Sequence, residues 1–238
     1  MGINRILNEV NEEKNKICKN LGVNGQDYKL KASGENLLNG SAFANGKGVR
    51  LSKVLLKMWD EDKNIVKFML AHELVHAKYG DNNIAVIKDR SISKLMKNAV
   101  ILLSEMRANM IGASVLGLSD EEMNRVQKKL HIENEKRHRD NLLIKLSRKL
   151  KFIGSYEYAY EEYNDHNIKF EFSKGYPPRK MIADFAYRYN DFSDKVKDEL
   201  LEKFYMLFKS EISVEKDEFK NRVLKYFKTH YEGKKSKE

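Results

Sequence analysis

The chain has 238 residues, with 45 Lys and Arg against 35 Asp and Glu, six His and a single Cys. That length buries a core without covalent staples, and a lone thiol, Cys18, excludes an intramolecular disulfide, so a cytoplasmic location is expected. The formal charge of +10 favours solubility and does not by itself identify nucleic acid, an anionic membrane or an acidic partner.

The opening MGINRILNEVNEEKNK lacks the apolar stretch of a signal peptide. No uninterrupted run of about 18 apolar residues occurs, so no membrane span is expected. Residues 3–21 repeat apolar side chains at helical spacing through Ile3, Ile6, Leu7, Val10, Ile17 and Leu21, and Gly22 ends the pattern. Residues 27–52 read differently. YKLKA, SAFA and GVRLS are short pieces separated by Gly34, Gly40, Gly46 and Gly48, as in a small sheet with tight turns.

Helices are then expected at about 60–79, 83–96, 98–116, 119–131 and 133–152. Asp60 is the expected N-cap of the first and Gly80 its terminating glycine, while Ser119 and Glu122 form a capping pair. The basic concentration KRHRDNLLIKLSRKLK (136–151) carries Leu residues and Ile144 at helical spacing. It reads as a core-packed helix with a solvated basic face rather than a nucleic-acid surface. In SYEYAYEEYNDHNIKFEF, the alternating Tyr156, Tyr158 and Tyr160 fit a strand or an irregular aromatic segment. After Gly175 and the only prolines, Pro177 and Pro178, helices resume to about 229 and a frayed tail follows. The fold class is therefore mainly α with a small β-sheet (α+β).

The chemistry concentrates in HELVH, residues 72–76. Side chains four apart on a helix stand about 6 Å apart along its axis, so His72 and His76 can converge on one metal ion. Glu73 points beside that face, where it reaches a water rather than the metal, as the base of a hydrolytic zinc site does. Ile65, Phe68 and Met69 continue the histidine stripe, which marks it as buried. Two imidazoles and a carboxylate there are costly without a shared partner.

Such a site needs a third protein ligand and an open position. The metzincin pattern, with a histidine six residues beyond the second, fails because that residue is Asn82. In ILLSEMRANMIGASVLGL (101–118), Glu105 shares a face with Ile101, Ala108, Asn109 and Gly112, a small apolar surface on which a lone carboxylate calls for a cation. Asn109, four residues on, can orient an imidazole, whereas Ser104 and Arg107 are expected to point elsewhere. His131, Glu133 and His138 lie in a hydrophilic stretch expected to face water, and His166 stays open as a competing ligand.

Taken together, GSAFANGKGVRLSKVLL, FMLAHELVHAKYGD and SEMRANMIGASVLGL resemble the M48 family of zinc metallopeptidases over roughly residues 38–118. The resemblance implies a zincin-like metallopeptidase fold and a gluzincin site. One Zn2+ per chain would sit on His72, His76 and Glu105, with Glu73 as general base and a protein or peptide as substrate. Asn109 stands where the family usually has aspartate. GYPPRKMI (175–182) departs from the family's HPxxxxRI, leaving Tyr176 or Arg179 as candidate oxyanion stabilisers. The transmembrane helices of many members are missing. A second resemblance, through ExxANxxxA, is to the ImmA/IrrE-type metallopeptidases.

On this reading residues 1–230 form one domain, with a catalytic core at about 27–185, a helical C-terminal part at 190–230 and a flexible tail at 231–238. KGVRLS (47–52) is a candidate edge strand for pairing with an extended substrate. The rival readings are an inactive zincin-like protein, or a basic helical protein binding nucleic acid or another protein. A third keeps the zinc as a structural staple, for which Cys18 is the sole thiolate.

Overall fold

The fold is that of a computed structural model, which describes residues 2–81, 83–140, 160–161 and 164–232. Helix α1 (Ile3–Asn20) turns Ile6, Val10, Ile17 and Cys18 inward. Strands β1 (Lys29–Ser33), β2 (Gly40–Ala42) and β3 (Gly48–Ser52) follow as one sheet. β3 is the middle strand, parallel to β1 and antiparallel to β2, with Leu51 opposite both Ala32 and Gly40. Residues 47–52 are therefore not an edge strand. Both of its hydrogen-bonding edges are taken, by β1 on one side and β2 on the other, and Val49 and Leu51 are fully buried. The edge on this side of the sheet belongs to β2.

Ser52 caps the short helix α2 (Lys53–Lys57), and a 3-10 turn at Met58–Asp60 leads into α3 (Lys63–Tyr79). Because that turn intervenes, the N-cap of α3 is Asp62, which accepts from the Asn64 N–H, and Asp60 instead pairs with Arg5. Gly80, at φ 65°, closes α3 in the left-handed conformation that glycine adopts without strain.

The helix expected at 83–96 is split into α4 (Asn83–Lys88) and the start of α5 (Lys94–Leu116). Side chains compete with the backbone there: Asp89 accepts from the Ser91 N–H and hydroxyl, and Ser93 caps α5 through the Met96 N–H. Conversely, α6 (Asp120–Asp140) runs through the break expected near residue 132, opened by the reciprocal Ser119–Glu122 bonds. The remainder of the expected helix to 152, most of the basic stretch, and Tyr156 and Tyr158 lie outside the described residues.

The end of the segment that carries the alternating tyrosines is a helix, α7 (Asp165–Phe172), capped by Asn164. Helices α8 (Arg179–Arg188), α9 (Asp194–Phe208) and α10 (Lys216–Phe227) follow, and α10 passes into a π-helical turn at Lys228–Glu232. Tyr231 in that turn is 2% exposed and so is no part of a loose tail, while residues 233–238 lie outside the described residues.

Two apolar clusters organise the whole. One joins α1, the sheet and α3; the other joins α5 with α7, α9 and α10. α5 serves both, giving Ala108 and Ala113 to the first and Val100, Leu103 and Met106 to the second. A helix buried on all sides carries no polar face, and among the described residues α5 alone is long and apolar enough to cross a membrane. The lack of an uninterrupted apolar run therefore does not exclude α5 by composition. In this fold most of its apolar window is covered by protein.

α3 packs directly on α5, and the contact is close because residue 112 has no side chain. A Cβ there would lie 3.2 Å from the His72 backbone nitrogen. Gly112→Val is expected to destabilise the fold by about 1–3 kcal/mol through overpacking. Urea unfolding of the variant beside the parent checks this.

Candidate metal centre

The same approach of α3 to α5 sets three polar side chains against each other. His72 and His76, one turn apart on α3, bring their Nε2 atoms to 3.1 Å, with the rings nearly perpendicular. From α5, Glu105 places one carboxylate oxygen 3.5 Å from His72 Nε2 and the other 3.6 Å from His76 Nε2. Two ligands bonded to one tetrahedral zinc at about 2.05 Å stand roughly 3.3 Å apart. The spacing here matches that, and the three residues are the group among the described residues whose ligand atoms all lie within 4.8 Å.

Hydrogen bonds on the far side of each ring decide the tautomers. His72 Nδ1 faces Asn109 Oδ1 at 3.1 Å; the Asn109 amide nitrogen donates to the Glu105 carbonyl, so its oxygen is the atom left to accept. His76 Nδ1 faces the Asp81 carboxylate at 2.7 Å. Both Nδ1 atoms are therefore donors, and both Nε2 lone pairs point into the cluster beside the Glu105 carboxylate. Buried acceptors converging in this way call for a cation. The donor set fits a divalent metal of the zinc type.

Asp81 reaches His76 because Gly80 reverses the chain: the Asp81 N–H donates to the His76 carbonyl at 3.0 Å. Its other carboxylate oxygen is paired with Arg107, whose guanidinium lies 4.1 Å above the Tyr79 ring. Asn83 donates to Glu105 Oε1 at 3.1 Å. Ser104 and Arg107 bond to partners other than the three clustered side chains, but they lie directly behind them. Both are buried, Ser104 against Asn83 and Arg107 against Asp81. Sequence reasoning missed Asp81, Asn83 and Tyr231. Only Asp81 left a signal, as an acid placed immediately after the glycine that ends the histidine helix.

Glu73 turns towards the sheet. The Ala42 backbone amide bonds to it, and a Cβ on Gly40 would lie 2.7 Å from its Cγ. Burial raises the Glu73 carboxyl above the usual carboxylate range, against the opposing pull of His72 and His76. Burial works to depress His76, but Glu105 and Asp81 outweigh it and lift the imidazole well above its ordinary value. Burial likewise pushes Glu105 up, and the two histidines more than reverse it, holding the carboxyl low.

A cleft of about 630 Å³ opens over these groups. β2 forms one wall, and α6 is tied to the segment just before it through Asn134, which exchanges hydrogen bonds with the Leu38 backbone. Tyr176 and Arg179 also line the cleft. Glu105, burial and Glu73 together push the Tyr176 phenol up to about 12. Arg179 donates to Gln127 Oε1 at 3.2 Å. His131 lines the cleft outside the ligand cluster, Glu133 pairs with Lys136, and His166 is exposed on α7. The His138 side chain lies outside the described residues. Cys18 is buried in the α1 core and does not join the cluster.

The sequence model of Peptidase family M48 matches residues 6–150, more than half of the chain. No curated protein and no solved structure matches it.

The raised His76 value has a sign that urea unfolding can read. Stability gained from protonated His76 is fully present below its unfolded value, about pH 6.5, and lost as pH rises through the higher folded value. Metal-free protein is expected to weaken from neutral to alkaline pH. Glu105→Gln, which removes the charge facing His76, is expected to flatten that slope.

Proposed function

This chain belongs to peptidase family M48 and is a metallopeptidase, and from that premise we propose a zinc-dependent endopeptidase with His72, His76 and Glu105 as ligands and Glu73 as general base. The observation that carries the reading is the convergence of two fixed Nε2 lone pairs and a carboxylate at tetrahedral ligand spacing. Zinc held by these three supplies Lewis acidity towards a water and the scissile carbonyl.

The rest is work for the chain's own residues. Glu73 takes the proton of the attacking water and returns it to the leaving amine. Its raised carboxyl value brings it nearer to neutrality, which suits a group that must both accept and release a proton. Gly40 leaves the space that the Glu73 side chain occupies.

The substrate lies along the edge of β2. Phe43 donates to the Gly48 carbonyl, so residues 41 and 43 pair with β3 and the backbone of Ala42 faces outward, its N–H bonded to Glu73 and its carbonyl left to accept from a peptide. An extended peptide adds there as a further strand, which favours segments of unfolded or loop structure as substrates. Tyr176 is the better donor to the developing oxyanion: its raised value keeps the phenol protonated, and it is 48% exposed at the cleft, whereas Arg179 is engaged with Gln127.

Glu73→Gln is expected to retain the zinc of the parent while proteolysis of casein falls by about 10²–10⁴-fold. Metal analysis alongside the protease assay reads both, and undiminished hydrolysis would remove Glu73 from its role. Tyr176→Phe is expected to lower kcat by about 10²-fold with KM little changed; an effect confined to KM would make it a binding residue instead.

A further inference from the structure

The last described turn, Lys228–Glu232, is far from the ligands in sequence, yet two hydrogen-bond chains lead to it from the metal centre. In the first, Glu105 Oε1 accepts from the Asn83 amide nitrogen at 3.1 Å, and Asn83 Oδ1 accepts from the Tyr231 hydroxyl at 2.7 Å. Ser104 Oγ also lies 3.2 Å from Asn83 Oδ1, but its single proton has a closer acceptor in the Ile101 carbonyl at 2.9 Å. In the second chain, the Tyr231 carbonyl accepts from Arg107, Arg107 pairs with Asp81, and Asp81 holds His76 Nδ1. Tyr231 itself is 2% exposed, stacked 5.3 Å from the Phe227 ring.

The Glu105 carboxylate, an acceptor only, draws the Asn83 amide N–H towards itself, and the Tyr231 hydroxyl anchors the amide by donating to the oxygen left on its far side. With its oxygen held by Tyr231, the amide presents N–H to the Glu105 carboxylate. Turned over, it would set a carbonyl oxygen against that carboxylate. We infer that Tyr231 is a positioning residue for the metal ligands: its hydroxyl, acting through Asn83, holds the Glu105 carboxylate where it faces His72 and His76. The C-terminal turn of this chain thereby completes a centre whose ligands all come from α3 and α5. This inference rests on the metal reading of those three side chains.

The test measures zinc affinity of the full chain by competition with a chromophoric chelator, beside thermal unfolding of the metal-free protein. Tyr231→Phe keeps the buried ring and removes only the hydroxyl. It is expected to weaken zinc binding about tenfold or more, the effect of losing a group that orients a ligand, with metal-free unfolding little altered. Tyr226→Phe is the control. On the same helix its hydroxyl donates to Asp89 at 2.6 Å and leads to no ligand, so parental zinc affinity is expected.

Asn83→Ala, at a half-buried position, is expected to lose the same factor as Tyr231→Phe, and the double variant no more than either, because both act on one chain of bonds. Zinc affinity of Tyr231→Phe within about twofold of the parent, well short of the loss expected for an orienting group, would overturn the proposal. So would an equal loss in Tyr226→Phe or additive losses in the double variant. A parent protein that binds no zinc would instead sink the metal reading itself.

Discussion

Everything in the centre depends on how closely α3 and α5 approach. Two helices with ordinary side chains at the crossing would stand too far apart for a glutamate on one to meet two histidines on the other. Here Gly112 removes the obstacle beside His72, and Ala108 keeps the same face small. The result is three acceptors brought into one buried volume, an arrangement that is unfavourable unless a cation or a proton is shared among them. The raised His76 and lowered Glu105 values express the same demand in protonic form.

That demand explains why so much buried polar structure surrounds so small a site. Asn109, Asp81 and Asn83 each bond to one of His72, His76 and Glu105, and Arg107 and Tyr231 bond to two of those in turn. A ligand free to rotate would relieve the crowding by swinging away. Hydrogen bonds on the far side of each ring remove that freedom and set the tautomer at the same time. α5 is well suited to anchor such a network, because it belongs to both apolar clusters and cannot shift without disturbing each. In the proposed reaction, Glu73 stands apart from this lattice and is held instead by the sheet, through Ala42 and the space at Gly40.

Much of this was legible from residue order. Alternation of short pieces and glycines between residues 27 and 52 marked the sheet, and apolar periodicity marked the long helices. Errors came where local side-chain bonding competes with a periodic pattern. Asp89 and Ser93 end one helix and start another inside what reads as a continuous stripe. The strand order was also hidden, since β1, β2 and β3 lie in space as β1, β3, β2. Which strand stands at an edge is a property of long-range pairing, and it gives the edge to β2 rather than to residues 47–52.

The sequence by itself determined the helix that carries His72, Glu73 and His76, because a spacing of four on a 3.6-residue turn leaves few alternatives. It also singled out Glu105, because a lone acid on an apolar face lacks a reason to be there. Tertiary structure alone decided that Asp81, Asn83, Arg107 and Tyr231 join that site. Asp81 alone carries a local hint, its place after Gly80; the others are ordinary in their local sequence and acquire meaning only when chain segments from residue 81 to residue 231 meet behind His72, His76 and Glu105. Periodicity reports which face of an element is buried. It carries no information on which distant polar group will be buried against it.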